Sequence, residues 1–290
     1  MHKNKPQKEP IRPFGIEKEL TNYETSKFHI ISVPYAETVT YLKGTDNAPL
    51  AILAAAEQVE LYDIATETEP YLKGISFSEI NVNTDITHIW TALSKEIMLA
   101  LKAGKFPVTL GGEHSISNGA IGASRILFQD ITIVQIDAHA DLREEYLGNP
   151  FNHACALRYA FDTQIPIVQV GIRSLVKEEH QLIKNSPDKI TTFICDSPEL
   201  DINSVINCIK SPNVYLTIDL DGFDPSVIPH VGTPEPGGLS WTSVLALLNK
   251  LFDNFNVVAA DIVELAPNKY STLSDFTAAK LLYKLFSLKM

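Results

Sequence analysis

Ile131-Thr132-Ile133-Val134-Gln135-Ile136-Asp137-Ala138-His139-Ala140-Asp141 is a mostly apolar run that closes on three metal-capable side chains at every second position. A short apolar stretch of this kind reads as a strand buried on both faces. Along an extended backbone, positions i, i+2 and i+4 point to one side. Asp137, His139 and Asp141 are therefore expected to face one small volume as strand gives way to loop. The pattern returns in Asp219-Leu220-Asp221, after the apolar run Val214 to Ile218, and His114 follows Gly111-Gly112-Glu113 behind a third such run, Phe106 to Leu110.

Outward from that stretch the chain alternates between two periods. Strands are expected at Phe28 to Val33, where Pro34 stops the run, and at Val59 to Tyr62, Phe106 to Leu110, Ile131 to Ile136, Ile165 to Val170, Thr191 to Cys195, Val214 to Ile218 and Val257 to Val263. Helices are expected at Leu50 to Val59 with an Asp or Asn cap, and at Asp85 to Ala103, where Ile86, Ile89, Leu93, Ile97 and Leu101 recur three or four apart and Gly104 ends the pattern. Further helices are expected at Ser117 to Phe128, His153 to Phe161, Leu175 to Asn185, Pro198 to Lys210 with proline in the first turn, Ser240 to Phe252 and Thr272 to Leu288. Apolar strands alternating with helices imply a three-layer α/β/α domain, a central parallel sheet of about eight strands covered on both faces. Residues 1–25 carry charge and proline without a clear period and are expected to form an arm, a surface extension or a strap at an interface; 26–290 are expected to be one catalytic domain.

Composition narrows the class. With 290 residues, 45% apolar and 20% charged, the chain has room for one large core and the make-up of a soluble globular protein. A net charge of −11 argues against nucleic acid as a partner and mildly favours a cationic ligand. The three cysteines, Cys155, Cys195 and Cys208, lack CxxC spacing, which suggests neither a disulfide framework nor a thiolate zinc site. The N-terminal Met1-His2-Lys3-Asn4-Lys5-Pro6 has no apolar leader, and no apolar run approaches the ~18–20 residues of a membrane span, so the expected location is the cytoplasm.

In sheets of this kind ligands bind beyond the carboxyl ends of the strands, where His114, Asp137, Asp219 and Glu264 are all expected to lie. An isolated Asp there is most often a turn residue or helix cap; two strictly alternating motifs together are a metal site. Four carboxylates and two imidazoles without a thiolate suit Mn, Mg or Fe. Six ligands exceed what one ion with an open position needs and fit two ions ~3.5–4 Å apart with a bridging water, a hydroxide near neutral pH, so the expected chemistry is hydrolysis.

At this point Gly111-Gly112-Glu113-His114-Ser115, Asp137-Ala138-His139-Ala140-Asp141 and Asp219-Leu220-Asp221-Gly222-Phe223-Asp224-Pro225 resemble, in order and spacing, the three signature motifs of the ureohydrolases, the family of arginase and agmatinase. The resemblance runs from about Phe28 to the C-terminus. It implies an arginase-like fold, two Mn2+ per subunit, and attack of a metal-bridging hydroxide on a guanidino carbon to give urea and an amine. By match of motif it places His114 and Asp141 on one ion, His139 and Asp221 on the other, and Asp137 and Asp219 between them. It also puts Glu264 against the substrate guanidinium, makes His153 the proton donor to the leaving amine, and has Asp141 help hold the tetrahedral intermediate. Trimers or hexamers are implied as well.

The loop Leu142-Arg143-Glu144-Glu145-Tyr146-Leu147-Gly148-Asn149-Pro150 lacks the Asn and Ser pattern with which arginases grip an α-amino acid, and Gly171-Ile172-Arg173-Ser174 stands where arginases have an Asp-rich stretch. Together with Gly232-Thr233-Pro234-Glu235-Pro236-Gly237-Gly238 these look like the bacterial agmatinase and aminopropylagmatinase branch: agmatine to putrescine or aminopropylagmatine to spermidine, in polyamine synthesis. A small cationic guanidino substrate would be drawn by acids at the mouth, with Glu144, Glu145, Glu178 and Glu179 as candidates. Other guanidino-acid or formimino hydrolases and a non-catalytic metal-binding relative remain open alternatives.

Overall fold

The computed structural model describes residues 11–195 and 200–290. Its strands are β1 (Phe28–Val33), β2 (Ile75–Glu79), β3 (Phe106–Gly111), β4 (Ile131–Ile136), β5 (Ile167–Ile172), β6 (Ile190–Ile194), β7 (Asn213–Asp219) and β8 (Asn256–Val263). They form one eight-stranded sheet in the order β2-β1-β3-β8-β7-β4-β5-β6, and every pairing is parallel. The helices are α1 (Ala48–Ala56), α2 (Ile86–Lys102), α3 (Ser117–Leu127), α4 (Arg158–Asp162), α5 (Lys177–Lys184), α6 (Ile202–Cys208), α7 (Trp241–Asn254) and α8 (Leu273–Leu288).

Because successive side chains leave a strand on opposite faces, a parallel sheet buries both. In β4, Val134 and Ile136 join the core under α1, α6, α7 and α8, whereas Ile131 and Ile133 join the core under α2, α3, α4 and α5. The expected three layers follow from that alternation. Helix α2 shows how a layer is attached. The Asp85 side chain accepts from the N–H groups of Thr87 and His88, Ile86, Ile89, Leu93 and Ile97 are buried, and Gly104 takes φ 73° just past the end. Each such apolar side chain is worth about 1.5–3 kcal/mol on burial, and Leu93→Ala is expected to cost about 2–5 kcal/mol.

Four expectations are corrected. Val59 to Tyr62 is turn, and the strand after α1 is instead β2, at the sheet edge, where Ser76, Ser78 and Glu79 break the apolar run. His153 to Phe161 is a 3-10 turn, His153–Cys155, followed by the short α4. Asn47 precedes α1 without a side-chain cap. Finally, residues 11–25 are no free extension: Phe14 and Ile16 are buried, and the Phe14 ring lies 4.9 Å from that of Tyr283. The Pro198 placement and residues 1–10 of the arm fall outside the described residues. No helix among the described residues is long and apolar enough to cross a membrane.

Candidate metal centre

The four middle strands, β3, β8, β7 and β4, are adjacent in space and out of order in the chain. The crevice that a parallel sheet leaves where its winding reverses therefore opens at their carboxyl ends. His114 begins the turn after β3, Glu264 follows β8, Asp219 ends β7 with Asp221 two residues on, and Asp137, His139 and Asp141 follow β4. The chain bends inward there through bonds that short acidic side chains make to nearby backbone: His139 N–H donates to Asp137 Oδ1 at 2.6 Å and Asp221 N–H to Asp219 Oδ1 at 2.9 Å.

Two residues of the site hold left-handed backbone, Asp141 at φ 51° and Glu264 at φ 65°, a conformation uncommon for residues with a Cβ and one that collects at functional sites. Asp141 thus reaches the cluster through a bent backbone, and the even alternation expected of 137, 139 and 141 holds only in outline. The bend is held by Leu142 N–H on Glu179 Oε1 and by Leu157 N–H on the Asp141 carbonyl, both 2.9 Å. Glu264 is held by its own N–H on the Gly112 carbonyl at 2.8 Å and by His114 N–H on its Oε1 at 2.7 Å.

All six expected ligands converge. His114 Nδ1 lies 3.0 Å from Asp141 Oδ2, 3.2 Å from Asp137 Oδ2 and 3.4 Å from Asp219 Oδ2. His139 Nδ1 lies 2.9 Å from Asp221 Oδ2 and 3.8 Å from Asp137 Oδ1. Two groups of donor atoms spaced to hold an ion result, His114 with Asp137 and Asp219, and His139 with Asp137 and Asp221; Asp137 belongs to both. His114 Nδ1 is buried, close to three carboxylates and in line with none for a hydrogen bond. Its other nitrogen is fixed, Nε2 meeting Thr217 Oγ1 at 2.8 Å, and Thr217 donates in turn to Asp261 at 2.6 Å. A ring anchored at one nitrogen with the other aimed, unpartnered, among carboxylates is the arrangement of a metal ligand. The donor set fits a pair of divalent cations.

The electrostatics agree. Burial pushes Asp137 up to about 7, with Asp221 and Asp141 adding repulsion, and drives Asp219 well above the carboxylate range for the same kind of reason. Burial would also raise Asp221, but His139 outweighs it and Asp221 is held down at about 2. Burial would lower both histidines; instead the carboxylates lift His139 to about 11 and His114 well above its ordinary value. The repulsion that raises Asp137 and Asp219 is of the kind that bound cations offset.

A cavity of about 230 Å³ opens onto this cluster and is lined also by Arg143, Tyr146, His153, Thr233 and Glu264. Among the four candidate acids of the mouth, Glu144, Glu145 and Glu178 are exposed and do not line it. Glu179 does, but it is buried, with both oxygens taken by the N–H groups of Leu142 and Val176 at 2.9 Å, so it shapes the wall and offers no free carboxylate. Several supporting residues had no signal in the sequence. Arg173 donates to five backbone carbonyls, those of Gly171, Asp221, Gly222, Phe223 and Glu235, tying the Asp221 turn to the loop that carries Thr233. Gln135, Thr217 and Thr38 are likewise polar residues that bond to other strands and loops.

Comparison with known proteins adds a family. A family model described as "Arginase family" matches residues 26–287. The N(1)-aminopropylagmatine ureohydrolase of Synechocystis sp. is 38% identical over 276 residues, covering 92% of this chain and 90% of that protein. The agmatinase of Bacillus anthracis is 33% identical over 258 residues, covering 85% of this chain and 86% of that protein. Among solved structures, the agmatine ureohydrolase of Thermoplasma volcanium superposes with a TM-score of 0.84 at 32% identity, over 92% of this chain and 91% of the other.

Proposed function

The chain belongs to the arginase family, and on that premise we propose that it is a ureohydrolase that takes agmatine or N(1)-aminopropylagmatine, releasing urea and the amine used in polyamine synthesis. The observation that carries this reading is the pair of donor clusters sharing Asp137, set at the floor of a cavity that also holds Glu264. The choice of a decarboxylated substrate is supported by the names of the relatives above and by the departures from the arginase pattern at 142–150 and 171–174.

His114 and Asp141 would hold one ion and His139 and Asp221 the other, with Asp137 and Asp219 shared; manganese is the ion proposed. When bound, the two ions supply Lewis acidity and lower the pKa of water at the site. The chain's own residues do the rest. Glu264 pairs with the guanidinium, and a two-point carboxylate contact fixes the carbon that is attacked. Asp141, rigid in its bent backbone, accepts from the NH2 groups as the carbon becomes tetrahedral. Water adds to that carbon, the bond to the substituted nitrogen breaks with its electron pair on nitrogen, and His153 delivers the proton that lets the amine leave neutral. The enzyme is proposed to act in the cytoplasm as a trimer or hexamer, which light scattering on the purified chain checks.

A second reading has one observation in its favour: Arg143, whose guanidinium lies 4.4 Å over the Tyr146 ring, is part of the cavity wall and could pair with the carboxylate of a guanidino acid. Urea release by the manganese-loaded chain, compared across agmatine, aminopropylagmatine, arginine, guanidinobutyrate and a formimino compound, separates the readings. Turnover of the first two, lost in Asp137→Asn and after chelation, is the expected result. Preference for guanidinobutyrate would replace the substrate, and two bound metals without urea from any compound would remove the enzymatic reading.

A further inference from the structure

Thr38 lies in the loop after β1, outside every motif of the metal cluster, yet it sits between a buried carboxylate, Glu113, and a histidine that lines the cavity, His153. Its Oγ1 is 2.8 Å from Glu113 Oε1 and 3.0 Å from His153 Nδ1, and it also receives His153 N–H at 3.0 Å. Glu113 is fully buried and grips the threonine twice, since Thr38 N–H donates to its Oε2 at 2.6 Å, while Ser115 Oγ donates to Oε1 at 2.5 Å.

Proton counting decides the direction. A carboxylate that takes three donors is an acceptor, so the single hydroxyl proton of Thr38 points to Glu113. The lone pairs of Oγ1 then face His153 and can only accept, which requires the proton of the imidazole to be on Nδ1. Nε2, which has no partner among the described residues, is left as the nitrogen that can take and release a proton in the cavity that the ring lines.

We propose that Thr38, oriented by Glu113, is a positioning residue that holds His153 in the Nδ1–H tautomer and so makes Nε2 the proton carrier of the reaction. The inference rests on the proposed role of His153. In the step concerned, Nε2 takes a proton as water adds to the guanidino carbon and returns it to the substituted nitrogen, whose bond to carbon breaks with the electron pair left on nitrogen. The amine leaves neutral and takes the hydroxyl proton of the protonated urea, so one water and one guanidinium give urea and one alkylammonium ion. When Nε2 is charged, Nδ1–H still meets the hydroxyl, and the Glu113 carboxylate behind it stabilises the imidazolium.

The test compares Thr38→Val, Thr38→Ser, His153→Asn and the double variant Thr38→Val/His153→Asn in the manganese-loaded full chain, with ring-nitrogen shifts of labelled histidine read on the metal-free chain. Thr38→Val is expected to lower kcat about 10- to 100-fold, a part of the roughly 10²- to 10⁴-fold that a positioned acid or base contributes, with KM within twofold of wild type; Thr38→Ser recovers most of the loss. In the double variant turnover falls no further than in His153→Asn alone, and the wild-type His153 Nδ1 shift is that of a protonated nitrogen. Wild-type kcat in Thr38→Val, additive losses in the double variant, or an unprotonated Nδ1 overturns the proposal. Wild-type kcat in His153→Asn would instead remove the role of His153 on which it rests. If Thr38→Val does not fold, Thr38→Ala enters the same comparisons.

Discussion

Gln135 Nε2 donates to Asp137 Oδ2 at 2.7 Å from the same face of β4, and Asp137 is the carboxylate common to both donor clusters. The amide is itself fixed, since Gln169 Nε2 on β5 donates to Gln135 Oε1 at 2.7 Å and Thr192 on β6 donates to Gln169 Oε1 at 2.8 Å. Three strands thus orient one carboxylate oxygen. Gln135→Leu keeps the size and removes the donor, and it is expected to weaken manganese binding at the His114 cluster, which Asp137 Oδ2 faces, about 10- to 100-fold, the usual effect of losing a group that orients a ligand. Manganese titration by calorimetry checks this; unchanged affinity would mean that the bond only fills space.

Arg173→Lys removes a planar fork that no ammonium reproduces. Five carbonyls in three segments lose their shared donor, and buried acceptors left without partners cost about 1–3 kcal/mol each. A fall in stability of at least that size is expected in urea denaturation, together with lower occupancy at the His139–Asp221 cluster by elemental analysis. A variant with wild-type midpoint and full metal content would show that the backbone holds these turns unaided.

The candidate ligand positions were legible because each lies at the end of a local pattern: β4 spans the same residues that its apolar run predicts, and α2 begins one residue after Asp85 and ends two before Gly104. What escaped depends on distant partners. The helix expected over His153 to Phe161 breaks because the N–H of Leu157 goes to the carbonyl of Asp141, a contact made only after folding. Neither Gly111 nor Gly112 has positive φ; a Cβ on Gly112 would lie 2.1 Å from the Tyr35 carbonyl, so what the glycine permits is the close passage of the loop that bears Thr38. Edge strand β2 lacked an apolar run because Ser76 and Ser78 serve His29 on β1.

That histidine makes stability depend on pH. His29 is 1% exposed, and burial lowers its pKa below the ordinary 6.5, with Glu96 opposing. As pH falls below 6.5 the unfolded chain binds the proton first, so stability is complete above that point and declines below it, at up to about 1.4 kcal/mol per pH unit for one proton. The groups facing the ring are Ser76, Ser78, Glu96, Tyr23 and Lys105. His29→Gln is expected to flatten the difference in melting temperature between pH 7 and pH 5.5, and a variant with the wild-type slope would exclude His29 as its source.

Glu264 can be separated from the ligands because one of its oxygens is already committed. Oε1 accepts His114 N–H at 2.7 Å, a bond that the carbonyl oxygen of glutamine can keep, so Glu264→Gln should fold and bind metal as wild type does. The other oxygen becomes an amide NH2, which turns a donor toward a guanidinium that has only donors to offer. The pairing that sets the carbon for attack is then lost, and kcat/KM is expected to fall about 100-fold or more, the penalty for misplacing a reacting group. Paired measurements of urea release and manganese content decide it: a large loss at full occupancy supports the anchoring role, and wild-type kcat/KM would require the guanidinium to be held by another polar residue lining the cavity, such as Asp219, Asp221 or Thr233.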